Sequence, residues 1–351
     1  MKNLLTHTTQ LVLLTCLMLG SFSVTAGNPD RAGSAGAGQL LINPWARTSG
    51  LANVSMASIK GIESTFLNVA GLASTQKTEL IFTNSQYLVG TDIQLNSLGF
   101  SQRVGESSVI GLSVTSMSFG DIPITTAALP DGGIGNFSPT YSNIGLSFAK
   151  EFSNSIYGGL TVRVLSESIS NVRSQGIAFD AGIKYITGEN DQLRFGIALK
   201  NVGPPMRFKG DGLSVTAEIP TTGEQLTVEQ RSEKYELPSL VHIGFAYDFL
   251  LNEDMILTAN GQYTSNSFTQ DQFGGSAEFG FKNRLFLRAG YLWEEDITSD
   301  EDTRTVLTGP AAGLSLQFPA GDNGTMIGVD YSYKTTNPFD GIHAIGLHIN
   351  L

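Results

Sequence analysis

The sequence predicts an all-β fold: a 14-stranded antiparallel transmembrane β-barrel with a small N-terminal hatch or plug. Three observations predict it. Stretches of about ten residues alternate apolar and polar side chains, as membrane-spanning strands do. Connections of one parity are all short, and the three longest all fall in the other. The final stretch alternates up to an apolar last residue, with Ile345, Leu347, Ile349 and Leu351 set against Gly346, His348 and Asn350. Around Gly176 to Thr187, Ile177, Phe179, Ala181, Ile183 and Tyr185 share one face, while Ala178, Asp180, Gly182 and Lys184 share the other. Leu193 to Lys200 and Val241 to Phe249 repeat the device, with every charge or imidazole on one side. A helix would scatter those groups around its circumference.

The N-terminus reads as a secretory signal over residues 1–26. Lys2 gives the positive region, Leu11 to Leu19 the apolar core, and Val24-Thr25-Ala26 the small-residue site before Gly27. The apolar run is too short to span a bilayer as a helix. Cys16 offers a lipoprotein reading, but Thr15 precedes it where a smaller residue is expected. It is the only cysteine, so the exported chain has no disulfide or thiolate metal site. With 21 basic and 32 acidic residues the net charge is −11, and losing Lys2 makes it more negative still, which excludes nucleic acid as a partner. Forty glycines, many inside strand patterns, suit a crowded or sharply curved wall.

Residues 27–76 are rich in Gly, Ala and Ser and lack sustained alternation. Ile62, Phe66 and Val69 within Ile59 to Leu72 have helical spacing and predict a short amphipathic helix. Trp45 beside Pro44 predicts a packed side chain, so this region reads as a hatch in the lumen near the periplasmic mouth. Residues 77–351 form the barrel. Strands are expected at 78–88, 91–103, 107–119, 141–152, 156–170, 174–187, 193–201, 239–250, 254–265, 271–281, 284–293, 309–318, 324–334 and 341–351. With both barrel ends on the periplasmic side, the turns at 104–106, 153–155, 188–192, 251–253, 282–283 and 319–323 are all short. The connections 120–140, 202–239 and 294–308 are the long, extracellular ones.

Those loops carry the candidate partner-binding residues. Ile122, Ile124 and Leu129 are apolar with no lipid to face. Met206, Arg207, Phe208 and Lys209 fit either an acidic partner or a loop folded back over its own barrel mouth. Ten charges fall on the lumenal face and are expected to pair with one another or with the hatch: Arg163, Asp180, Lys184, Arg194, Lys200, Asp248, Glu278, Arg288, Asp330 and Lys334. Glu294-Glu295-Asp296 and Asp300-Glu301-Asp302 cluster carboxylates but lack the ligand spacing and glycine of an EF-hand, and read as an exposed acidic loop. His343 and His348 are too far apart in a strand to form a metal pair. Trp293 and Tyr291 read as interfacial aromatics. No nucleophile elbow, zinc-protease, phosphate-loop or dinucleotide motif is present, so the chain reads as a non-enzyme that needs no cofactor or metal.

Leu41-Ile42-Asn43-Pro44-Trp45-Ala46-Arg47, Gly50 to Ala57, and Phe66-Leu67-Asn68-Val69-Ala70-Gly71-Leu72-Ala73 resemble the start of PorV/PorQ-family proteins. The family pattern is an ArgxxGxG stretch, a variable acidic segment, then AsnProAlaGlyLeu. Here Val69 stands in place of the proline, and Gly50-Leu51-Ala52 lacks the second glycine. Asn68 can cap a turn without the proline; alternatively, Val69 frees an amide and loosens it. Asn43, Pro44, Trp45, Arg47 and Asn68 are the hatch residues that carry the likeness.

The resemblance implies a FadL-type barrel in the outer membrane of a Gram-negative bacterium of the Bacteroidota. It also implies a place in the type IX secretion system, with lipid around the barrel. Secreted cargo C-terminal domains, or translocon or attachment subunits, would bind the loops. The alternative is a FadL-like transporter of hydrophobic small molecules, which needs an apolar pocket above the hatch and a break in the wall. A kink near Phe119-Gly120-Asp121 would supply that break.

Overall fold

A computed structural model describes residues 27, 31–218, 221–299, 301–321 and 324–351. The signal sequence expected over residues 1–26 lies outside them. Fourteen strands form the wall: β1 (Thr78–Gln86), β2 (Gln94–Val104), β3 (Ser108–Ser118), β4 (Thr140–Ser153), β5 (Ile156–Ile169), β6 (Val172–Thr187), β7 (Leu193–Val202), β8 (Leu240–Asn252), β9 (Met255–Asn266), β10 (Gln272–Phe281), β11 (Leu285–Glu294), β12 (Leu307–Pro319), β13 (Met326–Thr336) and β14 (Ile342–Asn350). Each pairs antiparallel with its neighbours in sequence. β1 then pairs with β14, from Glu79 opposite Asn350 to Gln86 opposite His343, and closes the ring. Closure leaves neither β1 nor β14 as an unpaired edge in lipid, where an unsatisfied backbone group costs several kcal/mol.

Every observed strand end lies within three residues of its expected position. The faces also fall as the alternation requires. Phe179 and Ile183 are 50% and 60% exposed on the outer wall, while Asp180 and Lys184 beside them are buried on the inner side. The rings of Tyr263, Phe273 and Trp293 run in contact across β9, β10 and β11 near their upper ends, forming part of an interfacial aromatic belt.

Two details depart from the expected pattern. Ile59 to Leu72 is not one helix. A single turn over Ser64–Leu67 stops at Asn68, whose backbone is extended, and a 3-10 segment follows over Val69–Ser74. Asn68 Oδ1 accepts the Ala70 amide, and this local bond competes with helix continuation. The turn is capped by the asparagine alone, so the missing proline leaves it intact.

The interruption in the wall is not at Phe119-Gly120-Asp121, since β3 keeps register with both neighbours along its length. It lies between β6 and β7, where the register shifts between Phe179 and Ala181. Asn201 there takes a positive φ of 58°. This bulge ends β7 early, and Phe208–Lys209 from the following loop pair with Ser174 and Arg173 in its place.

Phe179→Arg should impair membrane insertion, because a charge on the lipid face near the midplane costs about 2–4 kcal/mol. Heat-modifiable migration of the membrane fraction measures it; a normally inserted, heat-stable variant would mean the face assignment is reversed.

Candidate functional site: the lumen and the outer loops

The N-terminal segment lies inside the ring. The helical turn Ala46–Ser49 packs on β12, β13 and β14, and Val69–Ser74 packs on β3 to β6 across the lumen. Trp45, only 1% exposed, joins Ile62 and Leu72 in a cluster with Ile81, Val109 and Ala149 of the wall. Lumenal glycines make this approach possible. A methyl group at Gly182 would sit 2.1 Å from Asn68 Oδ1, and one at Gly290 would sit 2.5 Å from the Leu51 backbone.

Polar contacts then fix the segment. Asn43 Nδ2 donates to Thr48 Oγ1 (2.8 Å) and Asn53 Oδ1 (2.7 Å), while its Oδ1 accepts the Trp45 amide (2.9 Å). Buried Pro44 delivers the chain into that turn. Asn68 Nδ2 donates to the Ile183 carbonyl of β6 (3.0 Å). Arg163 and Lys200 converge on Asp180 Oδ2, and both also donate to the Thr65 carbonyl, at 2.6 and 2.8 Å. Lys184 donates to the Ile59 carbonyl and Lys334 to Asn53 Oδ1. Arg194 pairs with Asp248, Arg288 with Glu278, and Asp330 with His348. All ten charges expected on the lumenal face therefore have a partner there.

Arg47 forms a node that the sequence pattern did not single out as a set. Its Nε donates to Glu63 Oε1 at 2.8 Å and its Nη2 to Glu79 Oε1 at 3.2 Å, and Glu79 Oε2 accepts the Ile62 amide at 2.7 Å. Burial opposes the charge on Arg47, but Glu63, Asp330 and Glu79 outweigh it and hold its pKa above the usual range. Burial raises the pKa of Glu63 above the ordinary carboxylate value, against the pull of Arg47. One guanidinium is serving two carboxylates.

The turn from Ala46 to Asn53 divides the space that remains. Above it, a cavity of about 500 Å³ is lined by Ile42, Tyr87, Phe119 and Leu240 but also by Asn43, His242, Gln262, Asn266, Glu294 and Lys334. Below it, toward the short turns, a cavity of about 250 Å³ is lined by Arg47, Lys60, Arg194, Asp248, Glu278 and Arg288. Glu294 turns inward to accept Gln272 Nε2 at 2.8 Å, away from the acidic loop to which its position in sequence assigns it.

The outer loops sort the expected partner residues into two groups. Ile122, Ile124 and Leu129 are exposed on a loop braced by pairing of Ile122–Pro123 with Asn136–Phe137. Met206 is not on the surface: at 2% exposure it packs with Leu237, Leu165 and Ala178, and with Ala37 and Leu40 of the N-terminal segment. It plugs the upper mouth because the loop turns inward past the bulge, so it is loop core rather than a contact for a partner. Phe208 stacks on Tyr235 at 5.8 Å and Arg207 is half-buried, while Lys209 is exposed. Tyr235 Oη donates to Glu167 Oε2 at 2.6 Å, and burial followed by that bond pushes its pKa upward.

Beyond this core, Ser214–Glu218 and Gln225–Glu229 form a two-stranded ribbon, exposed at every residue. Val215 faces Val228 and Ala217 faces Leu226, so one side of the ribbon is apolar and the other is Thr- and Glu-bearing. The alternation Val215, Ala217 and Leu226, Val228 was present in the sequence as its signal.

Because the pKa of Glu63 is raised in the folded state, its contribution to stability is fully present below the unfolded value, about 4.5, and is lost as pH rises through the folded value. Hydrogen-exchange protection factors for residues 61–68 should therefore fall as pH rises from 4.5. Glu63→Gln should flatten that dependence; protection that rises with pH in the wild type would contradict the assignment.

Residues 26–267 match the model of the family described as type IX secretion system protein PorV. No curated protein matches in sequence. Among solved structures, the CymD monoaromatic hydrocarbon channel aligns with a TM-score of 0.54 at 13% identity, over 88% of this chain and 97% of that one. The P. putida toluene transporter TodX aligns at 0.53 and 14%, over 86% and 95%. A Pseudomonas aeruginosa FadL homologue aligns at 0.49 and 12%, over 87% and 96%. The first two likenesses show the shared barrel fold. The family match covers well over half of the chain, which belongs to the PorV family of type IX secretion system proteins.

Proposed function

We propose that this protein is a non-enzymatic docking component of the type IX secretion system. In this reading it holds secreted cargo C-terminal domains, or translocon or attachment subunits, against the outer face of the outer membrane. The carrying observation is the exposed ribbon of the 203–239 loop, whose apolar side presents Val215, Leu226 and Val228 with no cover from the rest of the described chain. A two-stranded ribbon is marginal in water by itself, and its free edges offer backbone donors and acceptors to an added strand. Ile122, Ile124 and Leu129 add a second apolar patch on another outer loop, with Arg207, Phe208 and Lys209 in the stretch that leads to the ribbon. The family match supports the secretion context.

In this reading residues 27–76 act as a hatch, and Asn43, Pro44, Trp45, Arg47 and Asn68 hold it seated. The chain is exported by a cleaved signal peptide in a Gram-negative bacterium of the Bacteroidota.

The cavity of about 500 Å³ is the one feature that favours a small-molecule transporter. Its lining by Lys334, His242, Gln262 and Asn266 is poorly matched to a purely apolar ligand. The interruption at β6 and β7 is moreover filled by Met206 and Phe208–Lys209. Docking is the better-supported reading.

Affinity purification of the tagged protein in mild detergent tests it. Translocon subunits or proteins bearing the secretion signal should co-purify, and deleting Gly210 to Arg231 should reduce their recovery severalfold while heat-modifiable migration stays unchanged. Undiminished recovery would eliminate the ribbon as the docking element, and a lone barrel carrying fatty acid or hydrocarbon would favour transport.

A further inference from the structure

The cavity of about 250 Å³ at the short-turn end holds more positive than negative charge on one side. Arg288 is matched by Glu278 at 2.5 Å, and Arg47 by Glu63 and Glu79. The opposite side is unmatched. Arg194 gives its Nη2 to Asp248, but its Nε is buried without an acceptor. Lys60, on the internal segment, lines the same cavity and makes no ion pair among the described residues. Lys184, fully buried on β6 next to both, donates only to the Ile59 carbonyl at 3.1 Å. Asp248 and Glu278 both act on Lys60, but each is already engaged, Asp248 by Arg194 and by Thr258 Oγ1 at 2.6 Å and Glu278 by Arg288.

Unpaired charge is costly away from water, so buried Arg194 and Lys184, with solvent-exposed Lys60 beside them, attract an anion entering the cavity. Desolvation and the nearby Arg194 lower the pKa of Lys60, outweighing Asp248 and Glu278, which raise it. The donors that reach the cavity come from the internal segment and β7, an ammonium beside a guanidinium edge, with Lys184 of β6 behind them. Such a set suits an anion with several acceptor oxygens in different directions.

We infer that this cavity binds a tetrahedral oxyanion of the phosphate class, entering from the periplasm and held between Lys60 and Arg194, with Lys184 adding positive field from the wall. Bound there, the anion ties the internal segment to β7 at a point where no direct ion pair joins them. The cavity has room beyond a bare phosphate, so the group is either free phosphate or the headgroup of a phospholipid. The inference stands on the lumen alone and is independent of the docking role of the loops.

Calorimetric titration of inorganic phosphate into the full exported chain, in phosphate-free detergent buffer at low salt, provides the test. A single saturable site is expected. Lys60→Met should weaken it at least about tenfold, the loss of one charge-assisted hydrogen bond. Lys282→Met, at an exposed pair with Asp254 on the same barrel end, should leave it unchanged. Displacement of the phosphate by short-chain phosphatidylglycerol would assign the site to a lipid headgroup, and its failure to displace would assign it to free phosphate. Absence of a saturable site, or equal affinity in wild type and Lys60→Met, would overturn the inference.

Discussion

The structure depends on the pairing of charge inside the ring, and Asp180 is its centre. Only 1% exposed, this carboxylate accepts Arg163 at 2.7 Å and the Asn201 amide at 2.7 Å, and also pairs with Lys200. Leaving such a charge without its partners costs about 3–5 kcal/mol. Arg163 and Lys200 have donors to spare, and the Thr65 carbonyl of the internal segment accepts from both. One side chain thus joins three wall strands to the chain that crosses the lumen. The bulge that brings the Asn201 amide to Asp180 also ends β7 and releases the long outer loop. Wall, internal segment and loop therefore share one electrostatic anchor.

Much of this was legible in the sequence because strand alternation has a period of two, which fixes both the element and the side chain's direction. Phe179 outward and Asp180 inward follow from that period alone, as do the partnered lumenal charges. Where the expectation failed, a local or long-range contact intervened. The helix expected through Ile59 to Leu72 breaks because Asn68 caps its own turn. Met206 fitted either a partner contact or a loop folded over its own mouth, and the choice rests on Leu165 and Ala178, residues distant in sequence that only the folded barrel brings together. Arg47, Glu63 and Glu79 form one node from three separate stretches, and no spacing rule links a segment turn to the first strand.

The candidate site follows the same division. Ile122, Ile124 and Leu129 were readable because an apolar run has no burial of its own in an outer loop. The ribbon over Ser214–Glu218 and Gln225–Glu229 carried a period-two signal too short to stand out beside fourteen longer strands. Its geometry matters because the wall is otherwise complete. The lumen is crossed by backbone, its ten charges are hydrogen-bonded, and the upper mouth is occupied by Met206, Leu237 and Tyr235. What this barrel leaves open to other molecules is chiefly its outer loops, which fits a secretion-system family better than a passive pore.

Bilayer conductance of the purified full chain tests the occupied lumen most directly. No steady open-channel current is expected at moderate voltage, because the internal segment is tied to the wall by the Asp180 and Arg47 nodes. A stable, long-lived conductance from the intact protein would contradict it.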